Sequence, residues 1–91
     1  MTLRLRALHG AQVCLVGDGR ALIDSQALSP GAKAGPFHSR RFRLDLQSFG
    51  GGILRLGIDG RGRKLRARGR SSYLIHRGGV NRTRYRGPQC P

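Results

Sequence analysis

The sequence is poor in acidic and aromatic residues. Its 91 residues include four Asp, no Glu, no Trp, two Tyr and three Phe. General acid–base catalysis needs ionisable groups that converge in one pocket, and four scattered carboxylates do not favour such a site. Ser71, His76 and Asp59 are the residue types of a catalytic triad, but most chains contain such a set of three by chance. We therefore expect a protein that is not an enzyme.

Metal ligands and long apolar runs are also scarce. The three His and two Cys are scattered, and no pair has the close spacing of zinc ligands, so we expect neither a metal nor a cofactor. No apolar run approaches the roughly 20 residues of a transmembrane helix. The first ten residues, MTLRLRALHG, carry charges within the apolar stretch, unlike a signal peptide. We expect an extracytoplasmic location if the chain belongs to a membrane-anchored protein, and otherwise a cytoplasmic one.

Helical periodicity is missing, and strict alternation takes its place. Apolar and charged residues alternate in TLRLRAL, RFRLDL and ILRLGI, a pattern typical of strands with one buried face. The predicted strands are 3–8, 12–16, 20–24, 40–46, 53–58, 63–68, 72–77 and 80–86. The segment between the third and fourth is rich in Gly, Pro and Ser, and predicts a long connection with a short strand near Phe37.

Three glycine dipeptides separate these runs: Asp18-Gly19, Asp59-Gly60 and Gly78-Gly79. Such pairs favour the primed turns of β-hairpins, which need positive φ. The sequence therefore predicts an all-β fold, either a small antiparallel immunoglobulin-like β-sandwich or a partly closed barrel, with 7–8 short strands. We expect a single β-domain over 1–87 and a short tail at 88–91.

The stretch from AQVCLVGDGRALID through SPGAKAGPFHSRRFRLDL to GGILRLGIDGR has a recognisable order of parts. A strand ends in a Gly-Asp-Gly turn, an ALID strand follows, and an L-x-P-G turn leads to an RRFRL strand. This order resembles the extracytoplasmic C-terminal domain of RodZ-like bacterial membrane proteins. The resemblance covers 2–61. It implies an immunoglobulin-like β-sandwich that serves as an interaction module of the cell envelope, in proteins that determine cell shape.

The net charge is the strongest compositional signal. Eighteen Lys and Arg against four Asp give +14, and sixteen of the eighteen are Arg. Such a chain attracts polyanions, and guanidinium groups suit bidentate contacts with phosphate or carboxylate. Expected partners are an anionic polymer or an acidic protein surface, with nucleic acid as a further candidate.

The basic residues concentrate in the last third of the chain. In RGRKLRARGR (61–70), alternation places Leu65 and Ala67 on one face and the cations on the other. If the next hairpin is adjacent, the sheet presents a ladder of cations with tyrosines between them. The candidate anion-binding residues are Lys64, Arg66, Arg68, Arg70, Arg77, Arg82, Arg84 and Arg86, and the candidate stacking residues are Tyr73 and Tyr85.

Three explanations of this basic face remain open. The first is a solvated outer face whose cations protect strand edges. The second is an interaction module that contacts anionic partners, which is the function we expect. The third is a different kind of protein, either a small ribosome-associated or phage-encoded nucleic-acid-binding factor or a structural component of a phage or other assembly.

The two cysteines, Cys14 and Cys90, are either free thiols or one disulfide that ties the tail to an early strand. We predict that thiol titration of the denatured, unreduced protein will detect no free thiol if they form a disulfide. Reduction before titration is the control and should release two thiols per chain. Two thiols without reduction would contradict the disulfide and the oxidising compartment that it suggests.

Overall fold

The segments in which apolar and charged residues alternate form antiparallel strands in the part of the chain that the structure describes. The structure, a computed structural model, describes the backbone of 1–84 and the side chains of 1–47, 54–66 and 69–84. Seven strands follow one another: β1 (Thr2–Ala7), β2 (Ala11–Gly17), β3 (Arg20–Leu28), β4 (Lys33–His38), β5 (Arg41–Ile58), β6 (Arg61–His76) and β7 (Gly79–Thr83). The described residues contain no helix long and apolar enough to cross a membrane.

Two long strands, β5 and β6, each take part in both of the two antiparallel sheets. The first part of β5 pairs with β2, and the second part pairs with β1. β6 pairs with β5 along both parts, and β7 adds to the end of β6. The result is a five-stranded sheet (β3-β2-β5-β6-β7) and a four-stranded sheet (β4-β1-β5-β6). The predicted all-β fold is confirmed, and of the two predicted architectures the structure agrees with the small sandwich.

The bend between the sheets lies where the β5–β6 register shifts. Ser48 pairs with Gly69, and Gly52 pairs with Ala67, so three residues of β5 lie opposite one residue of β6. Extra residues of this kind bend a strand and increase its twist. Gly69 has a φ of 67°, which glycine adopts without a Cβ penalty. Predicted strands 40–46 and 53–58 are therefore one bent strand, as are 63–68 and 72–77.

The core lies between the two sheets. Leu3, Leu5 and Leu56 of the four-stranded sheet belong to one buried cluster with Leu15 and Leu44 of the five-stranded sheet. These residues occupy alternate strand positions, as the sequence pattern predicts. The remaining buried members of the cluster are Ala7, Val13, Ile23, Phe42, Leu46, Leu54, Leu65, Tyr73 and Ile75.

Two of the three predicted hairpin turns are confirmed. Asp18-Gly19 and Asp59-Gly60 each have two consecutive positive φ values, which match the right-handed twist of the strands they join. The third prediction is wrong by one residue. The two residues between β6 and β7 are Arg77 and Gly78, because Gly79 already pairs with His76.

The short strand predicted near Phe37 is β4, which pairs with β1. Within β4, Gly35 has a φ of 107° and lies against the β1 backbone. A Cβ at this position would lie 2.8 Å from the carbonyl oxygen of Leu3. Glycine at position 35 therefore allows β4 to approach β1 closely, which also positions Lys33 beside β1.

We predict that Gly35→Ala will lower the free energy of unfolding by roughly 1–3 kcal/mol through backbone strain alone. The steric clash of the new Cβ with the carbonyl oxygen of Leu3 should lower it further. Urea unfolding measures the change. Gly62→Ala is the matched control, because a Cβ at Gly62 meets no atom within 4 Å and its φ is not positive. Equal stability of the two variants would contradict the close approach of β4 to β1.

Candidate anion-binding surface

The outer face of the four-stranded sheet carries cations on all four of its strands. On β1, Leu3, Leu5 and Ala7 point into the core, so Arg4 and Arg6 point outward and are exposed. The same alternation exposes further cations on the neighbouring strands: Lys33 on β4, Arg55 on β5, and Lys64 and Arg66 on β6. The local cause is the alternating sequence, which sends every second side chain to solvent.

Four of these cations form one row across the sheet, here called the cation row. Arg6 pairs with Lys33 on one side and with Arg55 on the other, and Arg55 pairs with Lys64. Neighbouring strands are about 4.8 Å apart, so the row crosses about 14 Å of sheet. Like charges directly opposite each other on neighbouring strands destabilise a sheet. The row therefore carries an electrostatic cost that a bound anion would offset.

No member of the cation row forms an ion pair with a carboxylate within the described residues. The carboxylate at the end of this sheet is Asp59, whose Oδ1 accepts a hydrogen bond from the backbone N–H of Thr2 at 2.8 Å. Asp59 also donates its own backbone N–H to the Thr2 carbonyl at 3.0 Å. Asp59 thus fastens the β5–β6 turn to β1.

A shallow groove of about 740 Å³ lies beside the cation row. Its floor includes Gly57 and Gly62, which are paired with each other, and Arg4 is paired with Gly57. Glycines leave the backbone open to close approach by a ligand. Arg6, Lys33 and Arg55 of the cation row line the same groove. The groove therefore offers an extended ligand a flat floor with cations along one side.

The predicted cation ladder is divided between the two sheets. Lys64 and Arg66 precede the bend in β6 and lie on the four-stranded sheet, whereas β7 pairs with 72–76 on the five-stranded sheet. The prediction of one continuous ladder along β6 and β7 is wrong, because the bend at Gly69 separates its two parts. Lys64 and Arg66 are exposed, as predicted. Arg68 lies in β6, but its side chain is outside the described residues.

The other predicted cations occupy different places. Arg70 is exposed just after the bend, and Arg77 is exposed in the β6–β7 turn. Arg82 is paired with Tyr73, so it lies on the opposite side of the sheet from Arg70. Arg84 is exposed directly after β7. Arg86 lies outside the described residues.

Tyr73 is a correction to the predicted stacking residues. Its side chain is 7% exposed and belongs to the core cluster. Its hydroxyl donates a hydrogen bond to the carbonyl oxygen of Arg66 at 3.1 Å. Position 73 follows the bend and falls on the inner face, so the ring contributes to packing and is not available to a base. Tyr85 lies outside the described residues.

The outer face of the five-stranded sheet carries a buried polar cluster. Asp45 is 3% exposed, and Cys14 and Ser72 lie opposite it on the neighbouring strands. Asp45 Oδ1 accepts a hydrogen bond from the Ser72 hydroxyl, and Asp45 Oδ2 lies 3.4 Å from Nε of Arg43. The Arg43 contact lacks hydrogen-bond geometry, and Nη2 of Arg43 is buried without a partner in the described residues. The alternation predicts an outward Asp45 but not its burial.

Cys14 is 2% exposed and is disulfide-bonded. Cys90, the partner that the sequence suggests, lies outside the described residues, so the pairing itself stays a prediction. In the part of the chain that the structure describes, no group of three or more His, Cys, Asp or Glu residues is arranged to hold a metal ion.

Sequence reasoning did not assign Arg4, Arg6, Lys33 and Arg55 to the site. The alternation in β1 and β5 places Arg4, Arg6 and Arg55 outward, but their neighbours depend on strand order. Lys33 was in a segment predicted mainly as a connection. The clear signal was the absence of acids: the first ten residues contain two Arg at alternate positions and no carboxylate.

Comparison with known proteins gives no match among family models, curated protein sequences or solved structures.

We predict that Asp45→Asn will destabilise the domain by about 2 kcal/mol or more, because it leaves the partly buried Arg43 guanidinium without a counter-charge. Urea unfolding at neutral pH measures the change. Asp24→Asn is the control, since it makes the same chemical change at an exposed position of β3. A loss no larger than that of the control would show that the Arg43–Asp45 pair does not stabilise the sheet.

Proposed function

We propose that this protein is a non-catalytic β-sandwich module that binds an anionic partner through the cation row. The observation that carries this proposal is the direct cross-strand pairing of Lys33, Arg6, Arg55 and Lys64. Exposed cations at random positions would be separated by neutral or acidic residues. Here four strands each contribute one cation at the same level of the sheet.

The energetics of the free domain support the proposal. Each like-charged pair destabilises the sheet by a few tenths of a kcal/mol. An anion placed over the row removes this repulsion and adds charge-assisted hydrogen bonds from the guanidinium groups. Binding is therefore favoured twice, once by the new contacts and once by relief of the repulsion.

The groove favours a linear polymer over a compact ligand. It is open, lies across the strands and has glycines in its floor. Among the described side chains, the outer face of this sheet carries no Phe, Tyr or Trp ring for stacking against bases, and the ring of His38 contacts Thr2 Oγ1 through Nδ1 at 3.2 Å. Contact with a repeating phosphate or carboxylate backbone fits this surface better than reading of bases.

An immunoglobulin-like domain in the bacterial cell envelope is the setting that we propose, by resemblance to the RodZ extracytoplasmic domain. Two observations support it. The two antiparallel sheets are consistent with a small β-sandwich, the general architecture to which such domains belong. The disulfide at Cys14 is of the kind that persists in oxidising compartments.

Salt dependence tests the proposal directly. The probe is a fluorescein-labelled polyphosphate chain, and its affinity is measured by anisotropy at about 50 mM and about 300 mM salt. Four phosphate contacts predict a slope of about −2.8 for a single-stranded polyanion, which is a loss of affinity of about 150-fold over this range. Equal affinity at both salt concentrations would refute phosphate contacts. A random single-stranded oligonucleotide as second probe identifies the nucleic-acid alternative if it binds much more tightly.

We predict that the double variant Arg6→Gln, Arg55→Gln will bind the polyphosphate at least about tenfold more weakly at low salt. Its free energy of unfolding should stay equal or rise, because two cross-strand repulsions are removed. Binding by anisotropy and stability by urea unfolding are measured on the same preparation.

The matched control removes two positive charges elsewhere. Arg20 and Arg40 are exposed and lie off the cation row, at the start of β3 and just before β5. Arg20→Gln, Arg40→Gln should lose only the small part of the affinity that depends on net charge. Equal loss in the two double variants would show that overall charge, and not the row, binds the polymer.

A further inference from the structure

A second cluster of cations lies at one end of the sandwich, in a cleft that shares Asp59 and Gly62 with the groove beside the cation row but contains none of the cations of the row. Three arginines, Arg61, Arg63 and Arg77, line a cleft of about 730 Å³ together with His76. This cleft, here called the end cleft, is also lined by Ile58, Asp59, Gly62, Gly78 and Gly79. Its volume lies within the range of small-molecule sites in proteins.

Arg61 and Arg63 occupy positions where the strand pattern calls for apolar residues. Leu65, two residues after Arg63, is 6% exposed and belongs to the core. Arg63 is paired with Leu56, which is fully buried on the inner face, and Arg61 is paired with Ile58. Both arginines therefore project from the core-facing side of β6, at the open end of the sandwich. Departures from the pattern at such positions are expected at functional sites.

The bend in β6 brings the two ends of this strand into the same cleft. Arg61 and His76 are fifteen residues apart, which is about 50 Å along a straight strand. The longest dimension of the molecule is 31 Å. Folding the strand over places Arg61 and Arg63 beside Arg77 of the β6–β7 turn. The cleft thus combines three guanidinium groups that a straight strand would keep apart.

The acidic and neutral groups of the cleft are already engaged. Asp59 accepts a hydrogen bond from the N–H of Thr2. His76 accepts one at Nδ1 from the N–H of Gly78 at 3.2 Å, and its Nε2 lies 2.8 Å from the side-chain amide of Asn81. These contacts hold the imidazole in place. The three arginines form no ion pair with a carboxylate in the described part of the chain.

We infer that the end cleft binds a small polyvalent phosphate, of the size of a diphosphate group. Three guanidinium groups provide many N–H donors in planar forks. A phosphate has enough oxygens to accept from several of these forks, whereas a single carboxylate has only two. One carboxylate against three guanidinium groups leaves a net charge that a polyvalent anion neutralises. The cleft is larger than one phosphate needs, which leaves room for a second phosphate or an attached group.

Inorganic pyrophosphate is the probe, and calorimetric titration of the full chain measures its affinity and stoichiometry. The wild-type protein should bind one pyrophosphate in the cleft. The double variant Arg61→Gln, Arg77→Gln should weaken this binding at least about tenfold. Urea unfolding checks that the substitutions, which are at exposed positions, leave the fold intact. Amide shifts of Gly78 and Gly79 in NMR spectra report whether the anion lies in the cleft.

The control is the Arg6→Gln, Arg55→Gln variant, which removes two charges from the cation row and none from the cleft. Its pyrophosphate affinity should stay within about twofold of wild type. The inference is wrong if this control loses as much affinity as the cleft variant, if pyrophosphate does not bind, or if the amides of Gly78 and Gly79 do not shift. The two assays are separated by their substitutions: loss of polyphosphate binding only in the Arg6, Arg55 variant and loss of pyrophosphate binding only in the Arg61, Arg77 variant support the two sites independently, so either proposal can fail while the other holds.

Discussion

The two sheets depend on the bend that β5 and β6 share. A straight hairpin of this length would leave one apolar face open to water, since a single sheet cannot bury its own inner face. The register shift between Ser48 and Gly52 and the positive φ of Gly69 fold the hairpin onto itself. Leucines from both parts then pack into one core. The same bend separates the cations of β6 into those before it and those after it.

The scarcity of carboxylates determines the electrostatics of the molecule. Three of the four Asp residues have structural positions: Asp18 lies in a turn at positive φ, Asp59 fastens a turn to β1, and Asp45 is buried beside Arg43. The acids therefore support turns and strands and leave the cation row without counter-charges. Stability alone would favour alternating charges across the strands, and the cation row departs from that arrangement.

Local sequence predicted the fold class, most strand positions and two hairpin turns: alternation located the strands, and the Asp-Gly pairs located the turns. It could not predict that Leu54 and Leu44 lie in different sheets on one strand, since the bend is a tertiary feature. The order of the strands in each sheet could not be predicted from the sequence either, and this order places Arg6 between Lys33 and Arg55. Tyr73 was predicted as a stacking residue because it lies among the cations in the sequence, although alternation from Leu65 already places it on the inner face. The two parts of β6 keep the same phase through the bend, so position 73 falls on the inner face like Leu65.

The long hairpin also has a consequence for how such a chain reaches its structure. Pairing between β5 and β6 begins at Ile58 and Arg61, with two turn residues between them, and extends outward from there. Once one pair is formed, the next closes a loop that is only slightly longer, so the entropic cost is divided into small steps. β1, β2 and β7 then add to edges that already exist. The distant contacts of the β5–β6 hairpin can thus form in steps that each close only a short loop, whereas β1 and β2 pair with β5 across longer stretches of chain.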